Sequence, residues 1–287
     1  MTSVPQHKRE RPVEEISPGG SRATGAEAAT SVAVSVVIPA YNEALRLPPY
    51  LESIREHFDH ELAGSYEVIV VDDGSSDWLA DKLTENASEF PQLRVIRHPQ
   101  NRGKGAAVRT GVLEARGRFV LFADADGAAP IEEEARLRAR LQSDADIAIG
   151  SRQVAGAGVR RNRTPLRRLV GRSFAGLARR MLGLSIRDTQ CGFKMFRREA
   201  AAHLFPQLRE EGYYFDLELL ILADRCGYRV MEVPINWADQ PGSRMSLARE
   251  IGKMIGAFRR LRRLRKAGLT NPKSEARNPG RVNDRNS

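Results

Sequence analysis

Three stretches decide the fold: SVVIPAYNE (Ser35–Glu43), VIVVDDGSSD (Val68–Asp77) and FVLFADADGA (Phe119–Ala128). Each is a run of β-branched and aromatic residues that stops in acids, glycines or serines, the pattern of a buried strand running into a loop. Between and after them the apolar residues recur at helical spacing. Leu47, Leu51, Ile54 and Phe58 share one face of a helix over Glu43–Phe58. A second helix is expected near Asp77–Ala87, with Ser75 and Ser76 as N-cap residues. A short strand follows at Leu93–Arg97, then a glycine-containing turn and helix in NRGKGAAVRTGVLEA (Asn101–Ala115). This alternation predicts an α/β fold with a mainly parallel central sheet flanked by helices. Ligands of such sheets bind outside the carboxyl ends of the strands, where all three acidic stretches end.

Further along, a helix is expected at Ile131–Leu141, a strand at Ala145–Ile149, a helix at Asp216–Arg225 and a strand at Arg229–Val233. Thr164-Pro165 reads as a helix start, with an apolar stripe behind it that runs from Leu166 to Met181. The last helix is expected over Leu247–Lys266. The two ends are polar and rich in Pro, Ser and charge, so residues 1–30 and 269–287 read as disordered tails. The folded unit is then a single domain over 31–268, in which 31–128 forms one half and 129–268 the other.

The net charge of +10 is concentrated in two places. Gly156–Leu182 holds eight arginines and no acid, and Met245–Gly268 holds eight basic residues and one acid. Local basicity of this kind implies anionic partners: phosphates, a membrane surface or nucleic acid. The nucleic-acid reading is the weakest, because aromatics are 6% of the chain, are not interleaved with the basic runs, and the acidic crevice would repel a backbone. No nucleic acid is expected. No run of about 18 apolar residues marks a transmembrane helix, and no apolar segment of leader type follows Lys8 and Arg9. Cys191 and Cys226 form no CxxC pair, which argues against a zinc site; they read as buried thiols of a reducing compartment. A cytoplasmic protein is expected, one able to sit peripherally on a membrane through basic helices at 164–182 and 247–266.

The chemistry centres on Asp124-Ala125-Asp126. Two carboxylates in an i, i+2 pair at a strand end can share a hard cation, Mg²⁺ or Mn²⁺, which completes its shell with substrate phosphate and water. Such an ion neutralises charge developing on a departing nucleoside diphosphate. Asp72-Asp73-Gly74-Ser75 offers a carboxylate to a base or ribose, and Asn42 with Glu43 faces the same crevice.

PAYNE, VDDGSSD, NRGKGAAVRTG and ADADGA, in this order, resemble glycosyltransferase family 2 with the GT-A fold, in which a Rossmann-like nucleotide-binding half is fused to an acceptor half. RDTQCGFKMF (Arg187–Phe196), GYYFDLELL (Gly212–Leu220) and VPINWADQPGSRM (Val233–Met245) resemble one subgroup in particular. It contains the dolichyl-phosphate β-glucosyltransferases and their polyprenyl-phosphate relatives. The resemblance implies inverting transfer of a hexose, glucose from UDP-glucose ahead of mannose from GDP-mannose, onto a polyprenyl phosphate. It implies that Pro39, Tyr41, Glu43 and Asp73 line the nucleoside pocket, that Lys104 lies near the diphosphate, and that Asp124 and Asp126 hold ribose and metal. Asp188 and Gln190 would border sugar and acceptor, and Asp216 with Glu218 the sugar or acceptor side.

A phosphate monoester is largely dianionic near neutral pH, with a second pKa of about 6, so it can attack the anomeric carbon without a strong base. Arginines that hold it in line matter more; Arg152 and some of Arg160, Arg161, Arg163 and Arg172 are candidates. A soluble hydroxyl acceptor, the rival reading, would need a base, and Asp188 or Asp216 would serve. Where some polyprenyl-phosphate mannosyltransferases carry a metal-binding glutamine just after the D-x-D, this chain has Ala128. A sugar nucleotidyltransferase is not expected, because no glycine-rich, lysine-containing loop precedes PAYNE.

Overall fold

The computed structural model describes residues 14–16, 32–156, 160–162, 176, 178–239 and 247–266. At its centre lie β2 (Val34–Ala40), β3 (Tyr66–Asp72) and β5 (Phe119–Ala123), in which every residue is buried. Strands covered on both faces have no polar side to alternate with, and hence read as continuous apolar runs. With β1 (Glu14–Ile16), β4 (Leu93–Arg97), β6 (Ile147–Ser151), β8 (Phe193–Arg197) and β9 (Val230–Pro234) they form one eight-stranded sheet in the order β1-β4-β3-β2-β5-β8-β6-β9. Strands from both expected halves therefore share one sheet. A two-stranded parallel ladder joins β7 (Arg161–Asn162) to β10 (Trp237–Ala238).

The order fixes where a ligand can sit. From β2 the chain steps one way to β3 and β4, then returns to place β5 on the other side of β2. The crevice at such a reversal opens beyond the carboxyl ends of the two strands. Here those ends carry Tyr41–Glu43 and Asp124–Asp126.

Three helices connect these strands: α1 (Leu47–Leu62), α2 (Leu79–Glu89) and α3 (Lys104–Glu114). Helix α1 buries Leu47, Tyr50, Leu51, Ile54 and Phe58, and Pro48 and Pro49 are its second and third residues. Proline is tolerated there because no intrahelical N–H bond is lost; the helix thus starts at Leu47 and not at Glu43. Helix α2 is not capped by Ser75 or Ser76. The Leu79 amide donates to Asp77 Oδ1, and the Ser75 hydroxyl accepts the Asn42 N–H instead. The serines join two loops.

Beyond β5 come α4 (Glu134–Ser143), α5 (Arg198–Leu204), α6 (Phe215–Arg225) and α7 (Leu247–Lys266). The sheet departs from the expected one in the second half. Strand β8, absent from the sequence reading, runs antiparallel between β5 and β6. Its second residue is Lys194, which interrupts the apolar run and hides the strand. Strand β1, inside the segment expected to be a tail, pairs antiparallel with β4.

In α7, Ala257, Phe258 and Leu261 are buried in the core, while Arg259, Arg260, Arg262 and Arg263 are exposed. At least this part of its apolar face is committed to packing. The helix expected from Thr164 is described only near its end, where 178–182 is helical; most of it, together with Arg163, Arg172, the tails apart from β1, and the Arg161 side chain, lies outside the described residues. No described helix is long and apolar enough to cross a membrane.

Candidate active site

The first two acidic loops are stitched together by side chains. Asn42, at a left-handed φ of 56°, accepts the backbone N–H groups of Ser76 and Asp77, and Asp77 accepts the Ala44 N–H. Asparagine tolerates that backbone region because its short amide can bond locally. Tyr41 is left with 45% of its surface exposed at the mouth of the crevice, and Pro39 is buried within β2. Glu43 is held by Arg46 at 2.6 Å.

Asp73 is buried and accepts from three groups. His98 Nδ1 lies 2.7 Å from its Oδ1, the Arg102 amide donates to the same oxygen, and the Gly103 amide donates to Oδ2. An ionised carboxylate has about four lone-pair sites, so these three contacts take most of its accepting capacity. Asp73 thus anchors the turn that launches α3 as well as facing the crevice. Neither His98 nor this second duty was visible in the sequence.

That turn delivers Lys104 to the D-x-D. Lys104 Nζ sits 2.7 Å from Asp124 Oδ1, at the start of α3. Burial works against its charge, but Asp124 and then Asp216 outweigh that and raise its pKa. On the other side of Asp124 lies Gly192. A Cβ there would meet Asp124 Oδ2 at 1.9 Å, well inside contact distance, and the Asp124 amide donates to the Gly192 carbonyl. Gly192→Ala is therefore expected to displace the carboxylate and cut activity far more than it lowers Tm, a comparison that kinetics and thermal melting make directly.

Asp126 accepts the Ala128 N–H and is partly buried. Burial first, then the charge of Asp124, pushes its carboxyl up. Glu43 is also raised, by burial and, despite Arg46, by Asp126 and Asp124. Two carboxyls raised by a third charge, that of Asp124, mark a site short of positive charge, which is the condition a divalent ion relieves. Among the described residues no three His, Cys, Asp or Glu side chains converge as a ready-made cage. Mg²⁺ and Mn²⁺ do not require one, since one or two carboxylates and substrate phosphates suffice. The donor set fits such an ion. Ala128 brings no third side-chain ligand, and its carbonyl is taken by the Ala238 amide.

On the acceptor side the structure revises the expected roles. Asp188 is buried and receives Arg152 through one guanidinium edge, Nε and Nη2 at 2.8 Å each, and through the Arg152 amide at 2.7 Å. Arg152 also donates to the Gln190 carbonyl and lies over the Trp237 ring. Burial pushes the Asp188 carboxyl up, but Arg152 holds it below the usual range. An acid so engaged is a poor base, and the arginine has its Nε and Nη2 committed, so only Nη1 could turn to an incoming phosphate. The amides of Arg187 and Asp188 donate to Glu232, which also takes the Ser151 hydroxyl. Glu232 is a supporting residue that the sequence reading missed.

Asp216, in the first turn of α6, accepts Lys194 Nζ at 2.6 Å. Burial raises its pKa against Lys194 and Lys104. Glu218 accepts the amides of Arg209 and Glu210 and holds their loop. The Gln190 amide reaches the Tyr213 carbonyl at 3.4 Å. Both cysteines are free and buried, as expected.

The geometry thus couples Glu43, Lys104, Asp126 and Asp216 each to Asp124, and Arg152, paired with Asp188, also feels the Asp124 charge. Comparison with known proteins identifies the family and the fold. The family model described as Glycosyl transferase family 2 matches residues 35–205. A dolichyl-phosphate β-glucosyltransferase of Trichomonas vaginalis is 38% identical over 259 residues, covering 87% of this chain and 77% of that protein. The Saccharomyces cerevisiae dolichyl-phosphate β-glucosyltransferase is 38% identical over 238 residues, 77% of this chain and 71% of that one. Among solved structures, glucosyl-3-phosphoglycerate synthase from Mycobacterium tuberculosis, in complex with Mn²⁺, UDP-glucose and phosphoglyceric acid, superposes with a TM-score of 0.57 at 22% identity, covering 80% of this chain and 79% of that one. The sheet and its helices are thus the GT-A fold, and the chain belongs to glycosyl transferase family 2 as a glycosyltransferase enzyme.

Proposed function

We propose that this enzyme transfers glucose from UDP-glucose, with inversion, to the phosphate of a polyprenyl carrier, assisted by a divalent metal ion. The observation that carries the reading is the D-x-D pair at the end of β5, short of positive charge and faced by Lys104. The acceptor and sugar are supported by relatives named dolichyl-phosphate β-glucosyltransferase, at 38% identity over most of the chain.

Asp124 and Asp126 would hold the ion, with donor diphosphate oxygens completing its shell. Bound there, the ion would supply Lewis-acid stabilisation of the leaving nucleoside diphosphate. The chain's own residues do the rest. Asp73 offers its remaining accepting capacity to the base, and Tyr41 covers the mouth of that pocket. Lys104 pairs with Asp124 and, once the donor is present, can turn to the diphosphate. Gln190 borders the sugar. Asp188 and Arg152 form a rigid wall on the acceptor side and orient the substrate; neither moves a proton. The attacking phosphate oxygen is already anionic. The exposed arginines of α7 suit an anionic bilayer surface, which would place the reaction at a membrane.

Radiolabelled transfer from UDP-glucose and GDP-mannose into a polyprenyl-phosphate extract, with Mn²⁺, Mg²⁺ or EDTA, tests this. Metal-dependent label in the lipid phase from UDP-glucose is the expected result. Donor hydrolysis without lipid labelling would move the acceptor to a soluble molecule, and label from GDP-mannose alone would overturn the choice of sugar.

A further inference from the structure

Lys194 is the second residue of β8, with none of its surface exposed. Burying a lysine is costly unless its charge is paired and bonded. Its partners are the Cys191 carbonyl and Asp216 Oδ1, the latter at 2.6 Å. Lys104 is the next cation along. Its Nζ is 5.3 Å from the centre of the Phe122 ring, and that of Lys194 is 5.7 Å from the same centre. Two ammonium groups therefore share one confined space with two carboxylates, Asp124 and Asp216. The pairs are Lys104 with Asp124 and Lys194 with Asp216.

We propose that Lys194 is a positioning residue: by cancelling Asp216 it keeps the Lys104 ammonium on the Asp124 side, available to the diphosphate of an anionic donor. Without it, Asp216 is a buried anion at the first turn of α6, with Lys104 as the cation left to answer it. Coulomb attraction in a poorly hydrated site is strong enough to redirect a flexible four-carbon side chain. Lys104 would then leave Asp124, and the donor's phosphates would meet a bare carboxylate. The inference rests on the donor reading above and gives Lys194 a role at a distance from the substrate.

The test is calorimetric binding of UDP and of inorganic pyrophosphate to the full chain in EDTA, so that metal and turnover play no part. Lys194→Met is expected to weaken binding by about tenfold, within the range of couplings between neighbouring charged residues. Lys194→Met with Asp216→Asn removes the competing anion and is expected to recover most of the affinity. In a Lys104→Met background, adding Lys194→Met should change binding no further. A purely structural lysine predicts otherwise: loss that Asp216→Asn does not rescue, or equal loss with and without Lys104, and either result overturns the proposal. Parent-like binding by Lys194→Met also overturns it. If Lys194→Met does not fold, Asp216→Asn alone decides, since it leaves Lys104 to Asp124 and should bind UDP no more weakly than the parent; about tenfold weaker binding would overturn the proposal. Failure of the parent to bind UDP even with Mn²⁺ present would overturn the donor reading and this inference together, whereas parent binding that appears only with Mn²⁺, or equal binding by parent and variants in EDTA, would overturn this inference alone.

Discussion

Asp126→Asn is expected to lower turnover by about 10³-fold while the protein stays folded, the size that follows from losing several kcal/mol of charge stabilisation on the leaving group. The amide keeps the shape of the carboxylate and can still accept the Ala128 N–H. What disappears is one of two anions that would hold the ion. Stability should move the other way. Burial and the Asp124 charge raise the Asp126 pKa, so the folded chain holds that proton more tightly than the unfolded chain does. The linked contribution to stability is largest below the unfolded value of about 3.9 and is lost as pH rises through the folded one. Near neutral pH in EDTA the asparagine variant should therefore melt slightly higher than the parent, and the gap should close in acid. Added Mn²⁺ should raise the melting temperature of the parent and not of the variant, since only a species that binds the folded state stabilises it. A variant with parental turnover would remove Asp126 from the site.

The largest loss of stability is expected from Asp188→Ala. It leaves the Arg152 guanidinium and the Arg152 amide without the carboxylate that takes three of their hydrogen bonds. Breaking a buried ion pair from one side costs about 3–5 kcal/mol. For a domain of this size that is roughly 10 °C in melting temperature. Arg152→Met with Asp188→Asn should lose less, because no buried charge is stranded and the asparagine oxygen can still accept the Arg152 amide. The pH dependence has the opposite sign to that of Asp126. Arg152 holds the Asp188 carboxyl below its ordinary value, so its contribution is present above about pH 3.9 and is lost as pH falls through the folded pKa. The parent should thus lose stability in acid more steeply than Asp188→Asn, measured by denaturant melts between neutral pH and the acid limb. Equal slopes would mean that the pair contributes nothing. Activity should fall with the melting temperature in Asp188→Ala and stay low in the double variant, if this wall orients the substrate.

The alternation of strands and helices through β5, and the position of the three acidic stretches at strand ends, were legible in the sequence alone. Burial on both faces writes itself locally as apolar runs at Val34–Ala40, Tyr66–Asp72 and Phe119–Ala123, broken only by Ser35, Glu67 and Asp72, and a strand's exit into a loop is written in the next few residues. The D-x-D needed nothing distant to be recognised. Strand β8 and the division of labour among the charged residues were decided only by tertiary structure. Lys194 looks like an interruption until Asp216, 22 residues on, supplies its counter-charge. Asp188 looks like a free acid until the return of the chain sets Arg152, 36 residues before it, across both its oxygens. Asp73 looks like a ligand contact alone until His98 and the Arg102–Gly103 turn claim most of its lone pairs. Hydrophobic burial is close to a sum over single residues and leaves a local pattern, whereas the state of a charge depends on which partner the fold brings within about 4 Å.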